Sequence, residues 1–210
     1  MVAAARPAQG QGKRARTKAA NRQAILEAAR QVFARLGAEA TTVRDIIRET
    51  DLAAGTFYNY FKSKEEVFEA LADEGVRRFR PRLASIRENA SSLQAYLLEA
   101  YSAYFDFLNE ENEEALRHGA PHAAMIGVRV DTPEMQAVFE EIRADLEQVA
   151  KSTGLSLADS GYLTAAAIGI AREVGDHMLM RRPVDTRGAT EFATQLFLHG
   201  AGALASKRNS

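Results

Sequence analysis

The chain of 210 residues contains no cysteine. That excludes disulfides, thiolate nucleophiles and cysteine-based zinc sites, and it fits a reducing cytoplasm. Long apolar runs are missing as well: no stretch approaches the roughly 20 residues that span a bilayer. Residues 1–12 are rich in Ala, Gln and Gly and lack the apolar segment of a secretory signal, so they read as a mobile arm. No segment alternates with strand period, and no internal repeat is visible. Signatures of common catalytic sites are absent: there is no Gly-x-Gly-x-x-Gly after a strand, no P-loop, no His-Glu-x-x-His and no nucleophile elbow. The sequence therefore argues for no enzyme, no cofactor and no membrane partner.

What is present is ample apolar content, 46%, which supports a packed core. Charge is divided. Up to Lys64 there are 12 Lys and Arg against 5 Asp and Glu, a net +7, while the remainder carries a net −8. A basic segment attached to an acidic body is expected where only the first part meets a polyanion. Chance clustering of charge on solvated faces predicts the same asymmetry, so its weight comes from where it lies.

It lies over a distinctive run. Ile25, Ala28, Ala29, Val32, Phe33 and Leu36 form one helical stripe, predicting a helix from about Asn21 that stops at Gly37. Thr42-Val43-Arg44-Asp45 has the form of a capping box and opens a short second helix with Val43, Ile46 and Ile47 inward. Leu52 plugs the turn. A third helix is expected over about Ala53 to Tyr60, with Phe57 and Phe61 inward and Thr56, Tyr58, Asn59 and Tyr60 toward the outer face. Gly55 weakens that helix and admits a close backbone approach. Ser63-Lys64-Glu65-Glu66 reads as a second capping box, opening a helix through about Phe79 that Pro81 stops or kinks. Lys64, with the free amides there, makes a phosphate seat. Two short helices joined by a tight turn are the layout that places a recognition helix in the DNA major groove. Lys13, Arg14, Arg16, Lys18 and Arg22 precede or open the first helix, where a DNA-reaching arm and a plain solubility tail are equally good readings.

The remainder reads as helices over Ser92 to Asn109, from Thr132-Pro133 to Ser152, over Leu157 to Met180, and over Gly188 to Ala205. Glu110 to Glu114 is a solvated face or loop, and His118 to His122 a break. The fold expected is all-α, with an arm over 1–20, a helix-turn-helix domain over 21–66, a ligand-binding and dimerisation body over 67–205 and a tail over 206–210.

The run from Gly37 through Glu66 resembles the DNA-binding domain of TetR-type (TetR/AcrR) transcriptional regulators. The residues that carry the likeness are Thr42-Val43-Arg44-Asp45-Ile46 and Gly55-Thr56-Phe57-Tyr58-Asn59-Tyr60-Phe61-Lys62-Ser63-Lys64-Glu65. The resemblance implies a homodimeric repressor on a double-stranded, pseudo-palindromic DNA operator, with a body that binds a small-molecule effector. An activator, an effector-independent DNA-binding protein and, more remotely, a helical enzyme or carrier are the competing classes. By position, Thr42, Tyr58 and Lys64 are expected at phosphates. Arg44, Ala54, Gly55, Thr56 and Asn59 are expected at bases or nearby backbone, with Tyr60 where the family often has His. Ala53 and Ala54 depart from the family pattern, which has a hydroxyl and then a polar residue there.

In the body, Tyr96, Tyr101, Tyr104, Phe105 and Phe139 form an aromatic cluster, core and pocket being about equally supported. The expected ligand-binding residues are Tyr101, Tyr104, Phe105, His118, His122, Met125, Phe139, Tyr162, Arg172 and His177. His118 and His122 have metal-site spacing, but Gly119 and Pro121 disfavour a regular helix and no carboxylate completes a set, so no metal is assigned. Arg172-Glu173 and Asp176-His177 read as interface ion pairs, with Arg172 also suited to a ligand carboxylate. Ala165, Ile168, Gly169, Arg172, Phe192, Leu196, Phe197, Gly200 and Leu204 are the expected dimer face, because small residues let helix axes come close.

Overall fold

In the computed structural model the described backbone covers residues 9–117, 131–152 and 159–206, with side chains described over 12–117, 131–151 and 159–200. It is all-α among those residues. The helices are α1 (Gln9–Leu36), α2 (Val43–Arg48), α3 (Ala54–Tyr58), α4 (Lys64–Asn89), α5 (Leu93–Arg117), α6 (Pro133–Ser152), α7 (Ser160–Leu179) and α8 (Thr186–Ser206). No helix among the described residues is long and apolar enough to cross a membrane. His118, His122 and Met125 lie outside the described residues, as does the side chain of Leu204.

Two cores form. The head core joins Ile25, Leu26, Val32 and Phe33 of α1 to Ile46 of α2, Phe57 of α3, Phe61, and Val67, Phe68 and Leu71 of α4. The body core joins Tyr96, Leu97, Tyr101 and Phe105 of α5 to Leu146, Leu163, Met178, Ala193 and Phe197. α4 belongs to both, since Leu83 is buried and Ile86 packs on the body core. It is one continuous rod from head to body, so the expected boundary after residue 66 falls inside a helix.

Local chemistry explains several helix ends. Gly37 has φ 82°, and its amide donates to the Phe33 carbonyl at 2.8 Å, closing α1 in the left-handed conformation. Thr42 and Asp45 form a reciprocal capping box. Thr132 caps α6, with the Met135 amide donating to its Oγ1 at 3.2 Å. Asp159 caps α7 by accepting from the Tyr162 amide at 3.0 Å.

Four expectations are corrected. α1 begins at Gln9, twelve residues before the expected start at Asn21, because the Lys-, Arg- and Ala-rich run holds good helix formers and no stop signal. α4 continues through Pro81 to Asn89. Pro81 is exposed, so water can solvate the carbonyl it leaves without a helical donor. α5 extends through the acidic run Glu110 to Glu114, which therefore rides on a helix. The second capping box is one-sided. Ser63 accepts from the Glu66 amide, but the Glu66 carboxylate reaches the amide of Lys62 rather than that of Ser63.

α5 and α7 pack closely because α7 carries Gly175 at the contact, where a Cβ would stand 2.6 Å from Leu108 Cδ1 and 3.4 Å from the Phe105 ring.

Candidate nucleic-acid interface and effector cavity

The head presents α2 and α3 side by side. Inward, Ile46 and Phe57 are buried, and Leu52 packs under the turn. Outward, Arg44, Ala54, Gly55, Tyr58 and Asn59 are exposed, and Thr42 with them. Tyr58 is 58% exposed although its ring meets Phe57 edge-on, so its hydroxyl is directed away from the core. Thr56 and Tyr60 are partly buried, and Tyr60 leans on the head core.

The Thr42 hydroxyl donates to Asp45 Oδ2 at 2.6 Å, and that carboxylate also accepts the Thr42 amide at 3.0 Å. These two bonds, the side-chain one foremost, hold the Asp45 carboxyl below the usual carboxylate range. The expected phosphate ligand Thr42 is thus first of all a cap. Lys64 is likewise engaged. Its ammonium donates to the carbonyls of Ala38 and Glu39, both at 2.8 Å, and ties the start of α4 to the loop after α1. An ammonium has three protons, so one remains for a phosphate. Arg35 bonds Glu49 at 3.0 Å and braces α2 from behind. Arg44 forms no ion pair within 4 Å among the described residues, whereas its neighbour Arg48 approaches Asp45 at 3.9 Å.

α3 has only five residues, and its N-cap Ala53 makes no side-chain bond. This is the structural consequence of the alanine departure. A Cβ on Gly55 would meet nothing within 4 Å, so nothing inside the chain demands glycine there. Gly55→Ala is therefore expected to stabilise the head by about 0.5–1 kcal/mol. If a DNA backbone approaches that spot, the same change weakens DNA binding. Thermal melts and gel shifts on one variant separate the two effects, and unchanged DNA affinity removes Gly55 from the interface.

The N-terminal part of α1 projects Lys13, Arg14, Arg16 and Lys18, all exposed. Lys13, Arg14 and Lys18 share a shallow groove with Asn59 and Tyr60 at the end of α3. The arm's charge and the recognition helix therefore face one space, which sequence spacing alone does not reveal.

In the body an apolar cavity of about 170 Å³ lies between α4, α5, α6 and α7. Phe79 and Leu83 enter from α4, Tyr101 and Tyr104 from α5, Phe139 and Ile142 from α6, and Ile168 and Arg172 from α7. Arg172 is the single charged lining residue among the described ones. Burial, aided by Asp176 and opposed by Arg172, pushes the Tyr104 phenol up to about 12. Tyr101 donates to the Ala167 carbonyl at 3.2 Å and Tyr96 to Asp145 at 3.1 Å; burial pushes both phenols well up. All three tyrosines are thus neutral hydroxyls at ordinary pH.

Of the expected ligand residues, Tyr101, Tyr104, Phe139 and Arg172 meet here. Phe105 does not, being wholly buried in the body core. Tyr162 is 80% exposed and His177 is exposed, so neither lines the cavity. The contributions of α4 and of Met135 and Ile142 were missed, because at helical spacing they read as plain core. Among the described residues no cluster of three or more His, Asp or Glu is arranged to hold a metal ion.

Of the expected dimer face, Ala165, Phe192, Leu196 and Gly200 are exposed, and added Cβ atoms on Gly169 and Gly200 would meet nothing within 4 Å. Ile168 and Arg172 line the cavity and also a groove on the outer face of α6 and α7. Phe197 is corrected: at 4% exposure it belongs to the body core.

Comparison with known proteins agrees with this geometry. Residues 25–71 match the family described as bacterial regulatory proteins, tetR family. The transcriptional regulator YfiR of Bacillus subtilis is 38% identical over 86 residues, 41% of this chain and 40% of that protein. The transcriptional repressor KstR2 of Rhodococcus jostii is 32% identical over 90 residues, 41% of this chain and 44% of that protein. The chain thus spans less than half the length of these relatives. Over most of its length the fold is similar to the fatty acid degradation regulator FadR of Bacillus halodurans, with TM-score 0.68, 21% identity and coverage of 86% of this chain and 95% of that one. FadR of Bacillus subtilis, solved in complex with stearoyl-CoA, gives TM-score 0.68 at 19% identity, covering 83% and 96%. Residues 25–71 thus carry the helix-turn-helix domain of the tetR family of bacterial regulatory proteins, and the chain over most of its length is similar in fold to the FadR regulators.

Proposed function

We propose that the chain is a homodimeric, effector-responsive DNA-binding repressor, released from a pseudo-palindromic operator when a small apolar molecule fills the body cavity. The observation that carries this reading is α4. Its first turns build the head core, and Phe79 and Leu83 farther along wall the cavity. Whatever occupies the cavity therefore bears on the element that positions the DNA-reading helices. Two heads reach successive major grooves about 34–36 Å apart. An effector acts by its differential affinity for the head spacing that fits and the one that does not. The likeness to a FadR solved with stearoyl-CoA supports an apolar effector class. The exposed Phe192, Leu196 and Gly200 of α8, four residues apart, suit an interface with a second copy in which α7 and α8 of each subunit form four helices.

Gel shifts with DNA upstream of the protein's own gene, at two salt concentrations, test the reading. A dimer binding selectively and with strong salt dependence is expected; weak binding to every fragment alike counts against it. Alanine at Lys13, Arg14, Arg16 and Lys18 is expected to lower the salt slope by about 0.9 for each phosphate no longer neutralised. An unchanged slope makes the arm a solubility tail. Arg44 is the forward long cation of α2 and α3 and the expected base reader. Arg44→Ala should cost about 1–3 kcal/mol on the operator and relax its selectivity. Uniform weakening across all DNA makes Arg44 a phosphate ligand.

A further inference from the structure

The body cavity has one polar end. Among the described residues Arg172 is the only charged one in its wall, and the same side chain also lines an open groove of about 440 Å³ on the outer face of α6 and α7. Phe139 and Ile168 are shared by both spaces, so they and Arg172 form the partition between them. The Arg172 side chain is 31% exposed, and its nearest carboxylate among the described residues, Glu173, stands 3.9 Å away on a side chain that is itself 67% exposed. Such a pair is weak and solvent-screened; the half-buried Asp176 also interacts with Arg172, but no carboxylate among the described residues forms a close ion pair with the guanidinium. Tyr104 opens onto the same cavity, and Arg172 is near enough to act on its titration. Its hydroxyl makes no hydrogen bond to another described residue. A neutral phenol and a guanidinium are both donors, and together they call for an acceptor that carries negative charge. An anion at this end is paired with a guanidinium and hydrogen-bonded by a phenol, which offsets the cost of taking it out of water.

Size narrows the ligand further. At about 170 Å³ the cavity is close to the ~150 Å³ apolar cavity known to accept benzene. One aromatic ring or a short branched chain fills it. Resting on the reading of the cavity as an effector site, we infer that the effector is a compact apolar carboxylate, its body held by the α4 to α7 aromatics and its anionic group by Arg172 and Tyr104.

The test is calorimetric titration of the full chain with benzoate, its neutral counterpart benzyl alcohol, and stearate. Benzoate is expected to bind about tenfold or more tighter than benzyl alcohol, as hydrogen bonds to a charged group imply. Arg172→Gln should bring that ratio close to one, and Arg172→Lys should keep most of it. Equal affinity for the two ring compounds in the natural chain, or a ratio that survives Arg172→Gln, overturns the inference while leaving the cavity reading standing. Stearate binding tighter than benzoate overturns the size limit. Failure of both benzoate and benzyl alcohol to bind defeats the cavity reading, and the inference with it.

Discussion

Phe57→Ala is expected to abolish DNA binding by unfolding the head while the body stays folded. Phe57 is 1% exposed and packs near Phe61, ring centroids 6.2 Å apart. Truncating such a side chain costs about 3–5 kcal/mol. The position cannot absorb that loss locally. α3 has five residues, far below the roughly 12–15 at which an isolated helix is even marginal in water. It has no side-chain N-cap, and it contains Gly55. Burial of Phe57 is thus the main reason that α3 exists. Amide exchange reads the result: protection over 25–71 should fall toward that of an unfolded chain, while amides around Tyr101, Leu146 and Leu163 keep theirs. Phe57→Leu should cost less and retain measurable binding. Unaltered head protection in Phe57→Ala would mean that α3 is held from elsewhere.

The head was legible in the sequence because its determinants are local. Gly37, the Thr42 and Asp45 box, and the inward pair Phe57 and Phe61 each act within four residues of their own position, so spacing alone places them. The same holds for Thr132 at the start of α6. The failures share a different cause. Pro81 signals a stop only if its freed carbonyl is buried, and burial is a tertiary fact. Phe105 and Phe197 sit on stripes that also carry cavity and surface residues. Which side of a stripe faces a void depends on how neighbouring helices cross, and spacing does not contain that information. Lys64 is legible only as a first-turn residue of α4, whereas its partners, the carbonyls of Ala38 and Glu39, lie 26 and 25 residues away. The cavity was half visible for the same reason. Tyr101, Tyr104, Phe139 and Arg172 stand out chemically, while Val76 and Phe79 read as plain core and Leu83 lies beyond the expected end of its helix.

Asp145→Leu is expected to destabilise the body strongly, and adding Tyr96→Phe should recover part of the loss. The Asp145 carboxylate, 4% exposed, accepts from Arg87 at 3.1 Å and from the Tyr96 hydroxyl at 3.1 Å, joining α6 to α4 and α5. Arg80 to Glu141 repeats the α4 to α6 link nearer the head, two turns back along α4 and one along α6, and Thr132 Oγ1 donates to Asp73 at 2.6 Å nearer still. α4 is thus fastened to α6 by polar contacts that flank the cavity. Removing the buried acceptor strands a phenol that is 1% exposed, a loss of about 1–3 kcal/mol. Arg87 is 34% exposed and can turn to water, so its share is smaller than the 3–5 kcal/mol of a fully buried pair broken on one side. A total of about 2–4 kcal/mol follows. Tyr96→Phe deletes the stranded hydroxyl, so the double variant should melt higher than Asp145→Leu alone, and Asp145→Asn, which keeps an acceptor, higher again. If the losses in Asp145→Leu and Tyr96→Phe simply add, the two groups are not coupled and the fastening is weaker than its geometry. If they couple, α4 is held against α6 by contacts a cavity ligand would strain when it pushes those helices apart, and variants here should shift effector response and DNA affinity together.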